Sequence, residues 1–312
     1  MVECEARFED KYIDQLEQGD SFRLFPFYEN LSFLAYDHAK IGEPELLSTW
    51  EGIVKFCESA DEIVFDFPKG SDENYNCLFL EILFSFSDCH SHQGTLRDCF
   101  QTKGDVWAKS ADIFRRIARP THLSYSKTNP NGSRDVRHNK KRFDVVPTAV
   151  IWRHWFSTYN QMIARRKFDD SKTIKIAALP ENVSMSGMWY LGVMSESIAP
   201  VVGLEIISRL VTDKQQRTRY DRGVGFPVEK GFYGYSPEQL ELDNFFNSGK
   251  ESSRVLLSAL EANKIHRSDF ENYDSDNSLL ANALKRILEQ EKSEVSLDVD
   301  TYDQIFKDCL LH

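Results

Sequence analysis

The sequence contains no run of eighteen apolar residues, so no segment reads as a membrane-spanning helix. Its first residues, "MVECEARFEDKYIDQLEQGD", lack a basic stretch followed by an apolar one, so no export leader is expected. Six cysteines (Cys4, Cys57, Cys77, Cys89, Cys99 and Cys309) are scattered without a pairing pattern over 312 residues. That argues against a disulfide framework and for a reducing, cytoplasmic compartment, with no membrane partner. Phosphate-cradling loops are also missing: "DRGVGFP" has Gly223 and Gly225 but neither a third glycine nor a Lys-Ser/Thr pair. No Gly-x-Ser-x-Gly elbow occurs, and "SMSGMW" is not one. Cys89, His90, His92 and Cys99 are metal-ligand types, but their spacing does not suit structural zinc, since Cys89 and His90 are adjacent and would point to different sides. The expectation is no enzyme, no catalytic residue, no cofactor and no metal.

What is present is enough apolar material for a core: 41% hydrophobic and 12% aromatic residues, with 22 Phe. The net charge of −11 alone disfavours a nucleic-acid partner. Its distribution says otherwise. Residues 1–102 hold 7 Lys and Arg against 21 Asp and Glu. Residues 103–230 hold 23 against 12, and residues 231–312 hold 8 against 16. A basic middle between acidic ends suits either a polyanion or the acidic ends of the same chain. The implied division is an acidic N-terminal part (1–104), a basic part (105–230) and an acidic helical C-terminal part (231–312).

Along the chain, "DSFRLFPFYENLSFLAY" (20–36) suggests two short strands about Tyr28-Glu29-Asn30. "EPELLSTWEGIVKFCES" (43–59) has helical spacing, with Pro44 in a tolerant first turn. "EIVFDFPKG" (62–70) reads as a strand, and "ENYNCLFLEILFSFSDC" (73–89) as a buried helix or two strands. "DVWAKSADIFRRIARP" (105–120) reads as a helix ending before Pro120, followed by an exposed basic loop over 121–147. "TAVIWRHWFSTYNQMIARRKF" (148–168) reads as a long helix, and further helices are expected at 237–247, 250–264 and 277–292. The fold class expected is mostly α with a few short strands (α+β).

The basic residues cluster. Arg134, Arg137, His138, Lys140, Lys141, Arg142, Arg165, Arg166 and Lys167 precede Lys172, Thr173 and Lys175; Arg217 and Arg219 follow. Such side chains give salt-dependent, sequence-blind affinity for phosphates. For sequence to be read, an element must enter a groove, and "KTIKIAALPENVSMSGMWYLGVMSESIAPVVGLEIISRLV" (172–211) offers one. A short strand, then Pro180 opening one helix and Pro200 a second, is ribbon-helix-helix-like. Ile174 and Ile176 would face inward, and Thr173, Lys175 and Ala177 outward, in a two-stranded ribbon shared by a homodimer. A bulge near Ala177-Ala178 is needed to keep this register.

With the preceding "RRIARPTHLSYSKT…RHNKKRFDVVPTAVIWRHWFSTYNQ", this run resembles the AcaB-type transcriptional activators of conjugative plasmids and integrating conjugative elements. The resemblance covers about residues 105–230 and implies a homodimeric, sequence-specific binder of double-stranded DNA that activates conjugative-transfer genes, with RNA polymerase as a further partner. Two alternatives stand beside it. One is a protein-interaction or assembly module. The other is a nucleic-acid-cleaving enzyme using Arg134 and His138, whose pairing is similar to that of HEPN-type ribonucleases.

Overall fold

The computed structural model describes residues 24–60, 63–69, 71–86, 94–102, 104–128, 149–158, 174–194, 196–222, 224–228, 263–266, 270–271, 273–290 and 298–311. Its organising element is a 14-residue strand, β1 (Leu24–Asp37). Its dense aromatic and aliphatic content suits a strand buried along most of its length. The expected turn at Tyr28-Glu29-Asn30 does not form. Instead β6 (Val183–Gly192) pairs antiparallel along that half, and the irregularity is confined to a bulge between Pro26 and Tyr28. Pro26 has no N–H to donate, so a bulge is where a paired strand tolerates it.

The other half of β1 pairs antiparallel with two short strands, β4 (Ile151–Trp155) and β5 (Ile174–Ala177). β2 (Phe65–Asp66) joins β4 and β7 (Asn263–His266) joins β6, both in parallel. The sheet is therefore mixed, in the order β2-β4-β1-β6-β7, with β5 also on β1. A separate parallel pair is formed by β3 (Gly94–Thr95) and β8 (Phe270–Glu271).

Helices cover the face of β1 that carries Ser32 and Leu34. Thr49 caps α1 (Trp50–Glu58), its side chain accepting from the Gly52 N–H at 3.1 Å. α2 (Asp72–Ser85) is buried continuously from Asn74 to Phe84. A helix apolar on every side belongs in a core, which settles the helix-or-strands ambiguity of this segment. α3 (Leu96–Thr102) leads into α4 (Gly104–Thr128). α4 runs on through Pro120 where the sequence suggests an end, and it takes residues 121–128 from the expected loop. Pro120 forfeits one helical hydrogen bond. Tertiary contacts hold the helix on either side: Thr121 Oγ1 donates to the Phe65 carbonyl at 2.5 Å, and Ile117 and Ala118 are buried. α7 (Tyr273–Glu289) and α8 (Val299–Leu310) complete this layer, the latter capped by Asp298. Phe79, Phe100, Trp107 and Phe306 pack with centroids 5.0 to 5.7 Å apart and join α2, α3, α4 and α8. On the opposite face, Phe33 meets Phe156, which packs on Tyr220 and Phe226. Tyr220 belongs to α6 (Asp213–Asp221), which follows α5 (Pro200–Leu210).

These elements correct the expected fold class. The long helix at 148–168 is instead the strand β4 over Ile151–Trp155, with residues 159–168 outside the described set. The first helix expected of a ribbon-helix-helix unit at 172–211 is the strand β6; only its second helix, α5, forms as expected. One edge of β5 pairs with β1 of the same chain, and the segment after Pro180 is strand rather than helix, so the strand-helix-helix unit does not form. A mostly α fold with an embedded ribbon-helix-helix element gives way to a mixed α/β sheet under helices. The expected helices at 237–247 and 250–264 lie outside the described residues, except that residues 263 and 264 open β7.

Candidate functional site

Two polar features interrupt the core. Beneath α2, Arg153 of β4 donates to Glu81 through Nε at 2.9 Å and Nη2 at 2.6 Å, with both side chains fully buried. Glu81 also accepts from the Ser32 hydroxyl and from the Met185 N–H at 3.2 Å. One carboxylate thus ties β1, β4 and β6 to α2. A pair enclosed in this way, with neither side chain exposed, is structural.

The second feature reaches the surface. The register places Tyr28 directly opposite Trp189 across β1 and β6. Paired residues project to the same face, and the two rings stack with centroids 5.6 Å apart at 22°. Trp189 is 54% exposed, the one tryptophan among the exposed large hydrophobic side chains of the described residues. Phe27 lies 5.3 Å from Tyr28. The Arg219 guanidinium lies 4.0 Å from the centre of the Phe27 ring and donates to the carbonyls of Leu210 (2.8 Å) and Phe27 (3.3 Å). The Tyr28 face is held from behind by Gly225: a Cβ there would stand 2.3 Å from Tyr28 Cδ2, so only glycine allows this approach. The same segment bonds to β1 through Glu29 N–H to Phe226 O (2.9 Å) and the reciprocal bond (2.7 Å).

On the face opposite the stacked pair, buried Glu29 accepts from Ser186 Oγ at 2.6 Å. Burial, and secondarily the charge of Glu29, push the Tyr190 hydroxyl up to about 12. Burial likewise raises that of Tyr28. Both phenols stay protonated, but Tyr190, next to Trp189 along β6, projects to the opposite face of the sheet, as Glu29 does. The stacked Trp189 and Tyr28 rings, with the Tyr28 hydroxyl at their margin, form a surface for stacking a small polar ligand.

The residues expected from sequence lie elsewhere. Lys175 and Ala177 are on β5, opposite Tyr36 and Leu34, and Ala177 packs against the core. Arg217 and Arg219 are on α6; Arg217 is exposed, whereas Arg219 turns onto Phe27. Tyr36 and Phe27 stand nine positions apart on β1, about 30 Å at a strand's rise, so Lys175 and Arg219 do not share a site. Lys172, Thr173, Arg134, Arg137, His138, Lys140, Lys141, Arg142, Arg165, Arg166 and Lys167 lie outside the described residues. Among the described residues no group of His, Cys, Asp and Glu is arranged to hold a metal, and no helix is long and apolar enough to cross a membrane. Trp189 and Tyr28 were missed because "GMWYLG" read as helix; the signal that would have found them is the aromatic pairing of "FPFYEN" with "MWYL" under a strand assignment.

No protein-family model matches the sequence, and no curated protein matches it. Solved structures do match. T. maritima MalE3 with maltose bound is 16% identical, with a TM-score of 0.67 over 97% of this chain and 76% of that one. A Streptococcus pneumoniae solute-binding protein in complex with the blood group A-trisaccharide is 15% identical, with a TM-score of 0.61 over 98% and 79%. UgpB from Mycobacterium tuberculosis, in complex with glycerophosphocholine, is 11% identical, with a TM-score of 0.65 over 97% and 74%.

The fold is that of these solute-binding proteins. It is a fold of binding proteins, and it overturns the resemblance to AcaB-type activators. With that resemblance go sequence-specific DNA binding, transcription activation and a link to conjugation. The partner set of double-stranded DNA, a homodimer mate and RNA polymerase is corrected too, and the assembly-module and nuclease alternatives do not fit either. The cytoplasmic placement, which came with the regulator reading, is withdrawn on the same finding. Free cysteines misled there. Cys77 and Cys99 are buried, and burial raises the Cys77 thiol well above its usual range. A thiol so shielded is inert and says little about compartment.

Proposed function

We propose that this chain is the solute-binding component of a membrane transport system, working outside the cytoplasm and binding its ligand without turnover. The ligand class is a small hydroxyl-rich solute, of which a mono- or oligosaccharide is the best fit. The observation that carries this reading is the exposed Trp189–Tyr28 stack on a solute-binding fold. A sugar ring has an apolar C–H face that lies flat on an indole, and a rim of hydroxyls that needs polar partners. Trp189 and Tyr28 take the face, and the protonated Tyr28 hydroxyl serves the rim. The ligands of the neighbouring structures, maltose, the blood group A-trisaccharide and glycerophosphocholine, all present hydroxyl or polar oxygen groups on a carbon skeleton.

Calorimetric titration with maltose, a chitin oligosaccharide and glycerophosphocholine tests it. At least one is expected to bind saturably to the wild type and to lose binding in Trp189→Ala. Absence of binding to all three, or binding that Trp189→Ala leaves unchanged, overturns the reading.

A further inference from the structure

The bulge in β1 places a cation beside the aromatic stack. Phe27 has no register partner on β6, so its carbonyl is left for another donor. Arg219, in the last turn of α6, donates to it through Nη2 at 3.3 Å. Through Nη1 the same side chain donates to the carbonyl of Leu210, which ends α5, at 2.8 Å. Both acceptors are neutral peptide groups. They hold the guanidinium 4.0 Å from the centre of the Phe27 ring and leave its charge in place. Two of the five N–H donors of the fork are used in this way, and the side chain is half-buried, so the other donors face a solute lying on the stack. Phe27 links the cation to that stack, its ring 5.3 Å from Tyr28, which lies on Trp189. The charge reaches the Tyr28 hydroxyl as well: burial raises the phenol's pKa, and Arg219 works against that rise. Glu29 projects to the opposite face and bonds to Ser186. Among the described residues no carboxylate pairs with Arg219.

We propose that the solute taken by the Trp189–Tyr28 stack is an acidic saccharide, whose carboxylate or phosphate is received by Arg219. The proposal rests on the stack being a saccharide site, and it names the class of saccharide. A guanidinium fork fits an oxyanion in bidentate geometry, and charge-assisted bonds of this kind are the strong ones. Burial is the main influence on Arg219 and lowers its pKa, so water solvates this cation incompletely. An oxyanion restores what burial removes, and a neutral hydroxyl does so only in part. The sugar ring then lies on the aromatic face while its acidic group reaches the cation at the margin.

The test is calorimetric titration of the full chain, at fixed ionic strength, with glucuronate, glucose 6-phosphate, glucose and glucuronamide, the last being an uncharged counterpart of glucuronate in nearly the same shape. At least one of the two acids is expected to bind about tenfold or more tighter than either neutral sugar, and the tighter acid identifies the oxyanion. Arg219→Gln is expected to shrink that ratio towards one, and Arg219→Lys, which keeps the charge but not the fork, to preserve part of it. An arginine that only ties α6 to β1 would weaken acids and neutral sugars alike and leave the ratio unchanged. Lys214→Gln removes an exposed charge from the same helix and is expected to keep the wild-type ratio. Equal affinity for acids and neutral sugars, with binding still lost in Trp189→Ala, overturns the acidic ligand and leaves the saccharide site standing. A preference for the acids that survives Arg219→Gln, or that Lys214→Gln abolishes equally, overturns the role of Arg219. Failure of all four to bind overturns the saccharide reading and this inference with it.

Discussion

Arg153 and Glu81 meet across the β4–α2 interface through two hydrogen bonds, with neither side chain exposed to solvent. Glu81 simultaneously receives Ser32 of β1 and the N–H of Met185 of β6, so a single carboxylate fixes how α2 sits on three strands. Removing one partner leaves a buried charge without its counter-ion. Glu81→Gln is therefore expected to lower unfolding stability by about 3–5 kcal/mol. The double variant Glu81→Leu with Arg153→Met is expected to recover much of that loss, because an apolar pair needs no desolvation. The midpoint of urea unfolding checks both.

His154, on the opposite face of β4, makes stability depend on pH. Both its ring nitrogens are buried without a hydrogen-bond partner. Burial, with the charges of Arg153 and Lys69, lowers its pKa to about 3 from the usual 6.5. Below 6.5 the unfolded chain takes up a proton that the folded chain refuses, so protons favour unfolding. Its contribution is complete above about 6.5 and declines by up to about 1.4 kcal/mol per pH unit as the pH falls towards 3. His154→Leu is expected to flatten the stability profile between pH 6.5 and 4, measured by urea midpoints across that range.

Trp189 is more than half exposed, so truncating it removes little buried area. Trp189→Ala is expected to change stability by less than about 1 kcal/mol while abolishing saccharide binding. Thermal unfolding and calorimetric titration on the same sample separate these two outcomes.

Gly225→Val is expected to do the reverse in part. A Cβ at this position meets Tyr28 Cδ2 at 2.3 Å and the Glu29 carbonyl at 3.0 Å, so Tyr28 must move. Overpacking of this sort destabilises by about 1–3 kcal/mol, and displacing Tyr28 also breaks its stack with Trp189. Unfolding midpoints report the first effect, and a changed tryptophan emission together with weaker ligand binding reports the second.

Several elements were legible in the residues themselves. Helical spacing with Pro44 in the first turn marked the turn and helix over Pro44–Glu58, and Pro200 marked α5. Where sequence reasoning failed, it failed on strands. "IWRHW" and "VSMSGMWYLG" carry aromatic and aliphatic residues on both faces, and a short doubly covered strand lacks the alternation that distinguishes it from a buried helix. Their state was decided by β1, a long strand that needed antiparallel partners on both edges. The basic clusters drew the functional reading towards DNA because charge is visible in one dimension. Tyr28 and Trp189 lie more than 150 residues apart in the chain, and nothing local announces that they stack.

By itself the sequence determined that this chain has a substantial core, that residues 73–89 are apolar on most faces, and that its middle is basic between acidic ends. Those follow from composition and from periodicities that act over a few residues. Tertiary structure alone decided that β5 pairs within its own chain, that Arg219 turns onto Phe27, and that Trp189 stands exposed on Tyr28. The reason is physical: the backbone hydrogen bonds of a strand are satisfied by segments distant in sequence, and register across that pairing, which local residues do not encode, sets which side chains meet and which face solvent.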